Sequence, residues 1–321
     1  MADKRVIAVI GATGAQGSGL VRAITSDPDG GFVARAITRD PSSEGAVSLA
    51  EVGAEVVPGD LEDPTSIEAA FAGAYGAFCV TFFWADFSPQ TELRHARGMA
   101  AAAKAAGVEH VVWSTLEDTR DFIPLDDDRM PTLQGKYKVP HFDGKSDADS
   151  VFRDAGVPTT YLRTAFYWEN FIYLGLEPKR DEDGVLTLTL PLGDKRLPGI
   201  SSEDIGRCAY GLFKRGPELI GETVSIAGEH PTGAEMARSL SGALGETVRY
   251  NEVDPDVYRD FGFSGADELG NMFQFTRDFE AEYAGARDLS TSRSFNPDLL
   301  TFDEWLAANA SRIPISERPT V

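Results

Sequence analysis

The chain has 321 residues, 42% of them hydrophobic, enough to bury a large core and suited to one α/β domain or one with an appended lobe. Fifty-one acidic residues against 30 basic ones give a formal net charge of -21, which argues against general binding to nucleic acid or anionic membranes. An anionic ligand must then find a local basic pocket, and the excess of acid with few lysines is also what adaptation to high salt would produce. Cys79 and Cys208 lie in apolar surroundings and form no CxxC pair, so neither a disulfide framework nor a metal site is expected, and a reducing cytoplasm fits. The sequence reaches its first strand without a basic-then-apolar leader, and no run approaches about 20 apolar residues. A soluble cytoplasmic protein is the expectation.

The apolar run Val6 to Ile10 reads as a strand covered on both faces. It leads into Gly11, Gly14 and Gly17 and then into the helix-like segment Leu20 to Ile24. Glycines placed this way let the backbone approach a pyrophosphate, whose charge is met by the free N–H groups and positive dipole end of the following helix. The spacing is GxxGxxG rather than the commoner GxGxxG, and a plain structural turn is the bland alternative. Strand candidates then recur at 32–37, 55–57, 77–81, 110–114 and 159–163, after the first at 5–10. Helical patterns fill 17–26, 43–52, 64–72, 89–106 and 143–155. Such alternation predicts a parallel sheet.

Thr38 and Arg39 follow strand two, where an acidic residue would hold the ribose of NAD and a cation would pair with the extra phosphate of NADP. Arg39 favours NADP; Asp40, followed by Pro41 and a helix start, reads as a turn or cap. Asp60 and Leu61 end strand three where an adenine would lie. Phe82, Phe83 and Trp84 follow strand four, beside the expected nicotinamide ribose, and Arg94 on the next helix can reach a cofactor. Ser114 ends strand five. Residues 117–140 carry Glu117, Asp118, Asp121, Asp126 to Asp128 and three prolines, and read as a long surface loop or lid.

Gly-Ala-Thr-Gly-Ala-Gln-Gly at 11–17, Thr38-Arg39, Gly59-Asp60, His-Phe-Asp-Gly-Lys at 141–145, and Arg163 followed by Phe166 to Asn170 together resemble the NmrA-like group of atypical short-chain dehydrogenases. The similarity runs from residue 4 to about 310, reappearing in Gly270 to Phe273 and Leu300 to Leu306. The resemblance implies an α/β fold: a Rossmann-type doubly wound parallel sheet, with a smaller, largely C-terminal α+β lobe closing a cleft. The core would span 1–163 and receive a later segment near 200–230; the lobe would take most of 164–321. The cofactor would be NADP(H) in preference to NAD(H). Its implied contacts are Gly11, Thr13, Gly14, Ala15, Gln16, Gly17, Arg39, Asp60, Leu61, Thr81, Phe82, Phe83, Arg94, Lys145, Tyr167 and Asn170. Arg94 stands where relatives carry a lysine, which keeps the charge but changes its geometry.

Short-chain dehydrogenases ordinarily use Tyr-x-x-x-Lys. Here Lys145 is present, but His141 stands four residues before it, and Tyr137 precedes Pro140. Two readings follow. In the first, the protein is an NADP(H)-sensing regulator with little or no turnover, acting on a protein partner. In the alternative it is an NADPH-dependent reductase of a small carbonyl, quinone or imine, in which Lys145 and His141 are the candidate catalytic groups. The bland reading of His141 is a helix cap. A homodimer is possible under either; direct nucleic-acid or membrane binding is not expected.

Further along, Leu186 to Leu190 alternates as a half-exposed strand. A helix starts near Ser201 and runs through Leu212, a strand follows at 222–226, a helix at 232–244, and a strand at 248–253. Helices near 255–261, 265–283 and 301–309 complete the lobe. Phe273, Phe275 and Phe279 read as core, Gly262, Phe263 and Met272 as pocket border, and 313–321 as a loose tail.

Overall fold

The alternation seen in the sequence is realised strand for strand. The computed structural model describes residues 4–316. Its first half runs β1 (Arg5–Val9), α1 (Ala15–Thr25), β2 (Phe32–Thr38), α2 (Glu44–Glu51), β3 (Glu55–Pro58), α3 (Pro64–Phe71), β4 (Gly76–Cys79), α4 (Pro89–Ala105), β5 (His110–Thr115), α5 (Pro140–Ala155) and β6 (Thr159–Arg163). The second half runs β7 (Phe166–Tyr167), α6 (Asn170–Tyr173), β8 (Lys179–Arg180), β9 (Leu186–Leu190), β10 (Gly199–Ile200), α7 (Ser202–Arg215) and β11 (Thr223–Ser225). After these come α8 (Gly233–Leu244), β12 (Val248–Glu252), α9 (Pro255–Arg259), α10 (Ala266–Asp278), α11 (Glu280–Gly285), α12 (Leu289–Phe295) and α13 (Phe302–Asn309).

Seven strands form one parallel sheet in the order β11-β6-β5-β4-β1-β2-β3. The chain order reverses between β1 and β4, so a crevice opens there at the carboxyl ends of the strands, where open α/β sheets bind ligands. Ile7, Val9, Phe78 and Val112 bury one face against Leu20, Val21, Ile205 and Leu212 of α1 and α7. Ala8, Ala77, Val111 and Trp113 bury the other against Met99, Ala103 and Phe152 of α4 and α5. Helices α1 and α7 touch through glycine: a Cβ on Gly206 would lie 2.7 Å from Gly19 Cα, so no larger residue fits.

The second lobe is built on β9, which pairs parallel with β12 and antiparallel with β8, while β7 and β10 form a separate two-stranded ladder. Its core joins Leu186, Leu188 and Leu190 to Trp168, Phe273, Phe275, Phe302 and Trp305, which accounts for Phe273 and Phe275 as core. Two reciprocal capping boxes, Thr232 with Glu235 and Thr301 with Glu304, start α8 and α13.

Segment 117–140 departs from the expected surface loop. Ile123, Met130 and Val139 are fully buried in the second lobe's core. Its backbone is held by side chains: Asn271 Nδ2 donates to the carbonyls of Pro131 and Lys138, and Gln274 Nε2 to that of Arg129. Lys138 Nζ donates to the carbonyls of Asp127 and Met130. Apolar anchors and backbone satisfaction turn an acidic, proline-bearing stretch into a fixed wall. The expected tail also begins later, because Ile313 is buried and Arg180 Nε donates to the Ser316 carbonyl; residues 317–321 lie outside the described residues.

Candidate cofactor and active site

Between β1 and α1, Gly11 has φ of 64°, a left-handed conformation open to glycine, and the Gly14 N–H donates to its carbonyl at 2.8 Å. Gly14 caps α1 without a side chain, so the first N–H groups of the helix face outward unscreened. A Cβ on Gly17 would run into the Gly11 carbonyl oxygen and lie 2.7 Å from Gly11 C and 2.9 Å from Ala12 Cα. The turn is therefore drawn tight against its own helix. Gly11, Thr13, Gly14 and Ala15 are exposed along its outer side, while Gln16 and Gly17 are buried.

Arg39 at the end of β2 is exposed and enters no ion pair among the described residues. Asp40 is committed elsewhere: its Oδ1 accepts from the Ser42 N–H at 2.9 Å and the Ser42 hydroxyl at 2.6 Å. That is the turn expected of it, and it leaves Arg39 as the cation after β2 with no ion-pair partner among the described residues. Asp60 Oδ1 accepts from the Glu62 N–H at 3.0 Å, and Leu61 beside it is half-buried. Arg94 donates to Glu62 Oε1 at 2.7 Å on the surface, where His95 Nε2 lies 2.8 Å from the same oxygen. Glu62, two residues past Asp60, thus occupies this cation.

The two aromatics after Thr81 have opposite fates. Phe82 is 66% exposed, whereas Phe83 is buried and packs edge-on against Trp84 and Phe87. Tyr167 accepts a hydrogen bond from Gln16 Nε2 at 2.5 Å, tying β7 to the glycine turn. Burial pushes its phenol up to about 12, so it is protonated near neutral pH. Asn170 begins the short α6, half-buried behind Tyr167 in sequence. Ser114 is buried within β5.

Helix α5 begins at Pro140, three residues earlier than expected, with proline in its first turn. His141 and Lys145 therefore stand one turn apart, and both are buried. Lys145 Nζ donates to the Thr81 carbonyl at 3.1 Å, the Thr81 hydroxyl at 2.8 Å and Glu92 Oε1 at 2.8 Å, using all three of its protons. The Thr81 hydroxyl in turn donates to Glu92 Oε1 at 2.6 Å. Gly144 permits this arrangement, since a Cβ there would lie 2.8 Å from Pro89 Cβ and push α5 off α4. On the next turn back, His141 Nδ1 is hydrogen-bonded to Glu268 Oε1, which also accepts from the His141 backbone N–H at 2.8 Å. The imidazole is walled by Phe142, Trp84 and Phe83, with ring centroids 4.7, 5.0 and 5.7 Å away. Tyr137 is buried outside the helix and cannot replace the missing tyrosine.

Glu92 and Glu268 are the two residues that sequence reasoning missed. Glu92 left a signal: it falls on the stripe of α4 formed by Pro89, Ala96, Met99 and Ala103, where an acid is out of place. Glu268, an acid in the first turn of a helix, resembles an ordinary dipole partner. Among the described residues no group of His, Cys, Asp or Glu is arranged to hold a metal, and no helix is long and apolar enough to cross a membrane.

A strand, a glycine turn against its own helix, and a buried lysine over β4 describe a dinucleotide-binding Rossmann arrangement, and the model of the NmrA-like family matches residues 3–306. The chain belongs to the NmrA-like family. Among members, it is 30% identical over 302 residues to the NmrA-like family domain-containing oxidoreductase FrzB of a Cladobotryum species, covering 87% of this chain and 85% of that protein. Its fold is that of NmrA, a negative transcriptional regulator solved in complex with NADP, at a TM-score of 0.76 and 23% identity over 95% of each chain. The triphenylmethane reductase of a Citrobacter species, complexed with NADP(H), superposes at a TM-score of 0.74 and 20% identity, covering 95% of this chain and 99% of that one. NmrA-like folds thus serve a regulator and a reductase alike.

Proposed function

We propose that this NmrA-like protein is an NADP(H)-dependent reductase of a small carbonyl-, quinone- or imine-type substrate. The observation that carries the reading is the buried ammonium of Lys145, fixed by three acceptors at the carboxyl end of the sheet and one helical turn from the buried His141. The residues present fit the dinucleotide: the glycine turn has no room for a Cβ at Gly17, and Arg39 is a cation with no ion-pair partner among the described residues where a 2′-phosphate would lie. Asp40, bound to Ser42, offers no competing acid, which supports NADP(H) over NAD(H). A bound reduced nicotinamide supplies a hydride. The chain's own part is to hold the pyrophosphate on the N–H groups opening α1, and to meet charge developing on the substrate oxygen or nitrogen with the fixed Lys145 cation. Relatives named as oxidoreductases across most of their length support the same reading.

A second reading, that of an NADP(H)-sensing regulator acting on a protein partner, draws on the same lysine. All three of its protons are taken within the protein, and no tyrosine stands four residues before it. Turnover separates the two. Purified protein is incubated with NADPH and a panel of aldehydes, ketones, quinones and imines while the dinucleotide absorbance is followed. Oxidation above the rate of the Lys145→Met, Glu92→Gln double variant supports the reductase. Tight NADPH binding by calorimetry with silence across the panel removes it and leaves the sensor.

A further inference from the structure

We propose that Glu268 is the positioning residue of a proton-donating pair, Glu268 with His141, assembled across the two lobes and serving flat, uncharged conjugated carbonyl compounds. The proposal rests on the reductase reading above and adds to it the source of the proton, the residue that aims it and the class of acceptor.

The geometry assigns the roles. Glu268 reaches from the first turn of α10 into the first turn of α5, and one of its oxygens takes both the backbone N–H and the ring Nδ1 of His141. A carboxylate only accepts, so Nδ1 carries its proton and Nε2 is left as the variable position. The ring's hydrogen bond to a described residue is made by Nδ1, and Nε2 makes none. Protonated, it is a donor; neutral, it presents a lone pair. Phe83, Trp84 and Phe142 prevent the ring from swinging away. The approach of α10 is itself specified: Gly265 has φ of 85°, and a Cβ there would lie 2.9 Å from Phe87 Cε1 and 3.4 Å from Trp84. A fold needing only to close two lobes would gain more from an apolar contact than from a buried imidazole and carboxylate, whose desolvation is costly.

The surroundings select the acceptor. Phe82 is 66% exposed after β4, and Phe261 and Phe263, 45% and 41% exposed, sit just before Gly265. Exposed rings on a chain of net charge -21 favour stacking of a flat, neutral molecule over an anion. In the reaction, hydride from the reduced nicotinamide forms the new C–H bond at the carbonyl carbon. The C=O π pair moves onto oxygen, and that oxygen takes the proton from His141 Nε2. The imidazole is left neutral and regains its proton from water. One NADPH and one proton are consumed for each C=O converted to CH–OH.

The test uses the full chain with NADPH and 9,10-phenanthrenequinone as probe, comparing wild type, His141→Gln and Glu268→Gln. Glu268→Gln keeps an amide oxygen for the backbone N–H and removes the charge. The expected result is a kcat lower by about 100-fold in His141→Gln and by at least about 10-fold in Glu268→Gln, with KM for quinone and calorimetric NADPH affinity within threefold of wild type. A second readout needs no turnover: the proton NMR spectrum of the wild type should show a downfield Nδ1–H resonance that is absent from His141→Gln and shifted upfield in Glu268→Gln. Wild-type turnover undiminished in both variants, or absence of the downfield resonance from wild type, overturns the pair and leaves the reductase standing. No NADPH oxidation by wild type overturns the reductase reading and this proposal with it.

Discussion

Replacing Gly17 by alanine tests whether the turn at residues 11–17 is a ligand cradle or merely a connection. Gly17 lies inside α1, where alanine should gain about 1 kcal/mol from helix propensity. Its Cβ would nevertheless collide with the Gly11 carbonyl and come within 2.7 Å of Gly11 C and 2.9 Å of Ala12 Cα, all of them backbone atoms that no side-chain rotation can move. To restore ordinary contact, the Gly11–Ala12 backbone must retreat by roughly 0.5–1 Å, a strain on the order of 1–3 kcal/mol. The two effects nearly cancel in stability, so the melting temperature should fall by only a few degrees. Binding has no such compensation, because the retreat displaces the turn on which a pyrophosphate would rest. NADPH affinity should drop at least about 100-fold, equivalent to about 2.7 kcal/mol. Isothermal calorimetry and thermal melting read the two quantities, with Gly98→Ala as control. Gly98 is also inside a helix, but a Cβ there meets nothing within 4 Å, so that variant should be more stable by about 0.5–1 kcal/mol and bind normally. A Gly17→Ala protein that binds NADPH within threefold of wild type would refute the cradle.

Three further outcomes are expected. Arg39→Ala should weaken NADPH binding about 10- to 100-fold and leave NADH binding unchanged, because the exposed guanidinium would meet only the extra phosphate; equal losses for both dinucleotides in calorimetry would count against this role. Lys145→Met should cost about 3–5 kcal/mol in urea unfolding, since it strands the Glu92 carboxylate in a buried site, and adding Glu92→Gln should recover most of that loss. Asp149 is held at about 6 by burial, against the pull of hydrogen bonds from Thr115 and Trp113. The folded state therefore binds this proton more tightly than the unfolded one, and the carboxyl's contribution to stability is lost as pH rises from about 4 through 6. Relative to wild type, Asp149→Asn should thus become progressively more stable across that window; unfolding curves at pH 5 and pH 8 with the same difference would contradict it.

What the sequence disclosed follows from the range over which its signals act. Strands buried on both faces must be apolar throughout, and helices between them must carry a stripe, so Val6 to Ile10 and its successors were legible from local pattern alone. The glycine turn was legible because a tight approach excludes every other residue. The partners of the two candidate catalytic groups were not, since Glu92 lies 53 residues from Lys145 and Glu268 lies 127 residues from His141. No periodicity links positions so distant. Segment 117–140 was misread for a different reason: its acids and prolines dominate the composition, while its fixing depends on three separated apolar anchors and on amides of α10. The early start of α5 did have a local sign, Pro140, which suits a first helical turn as well as it suits a loop.

The two groups on α5 are held by different parts of the molecule, and this bears on how regulation and catalysis relate in the NmrA-like fold. Lys145 is anchored wholly within the core, by Thr81 after β4 and Glu92 on α4. His141 is anchored by Glu268 on α10, a helix that also grips the 117–140 segment through Asn271 and Gln274. A displacement of α10 would release the imidazole and the wall beside it while leaving the ammonium in place. Helix α5 therefore joins the core to the second lobe, its first turn answering to α10 and its second to Thr81 and Glu92, beside the link that Gln16 and Tyr167 make between the glycine turn and β7. The contact that would aim the proton is thus one of the contacts that join the second lobe to the core.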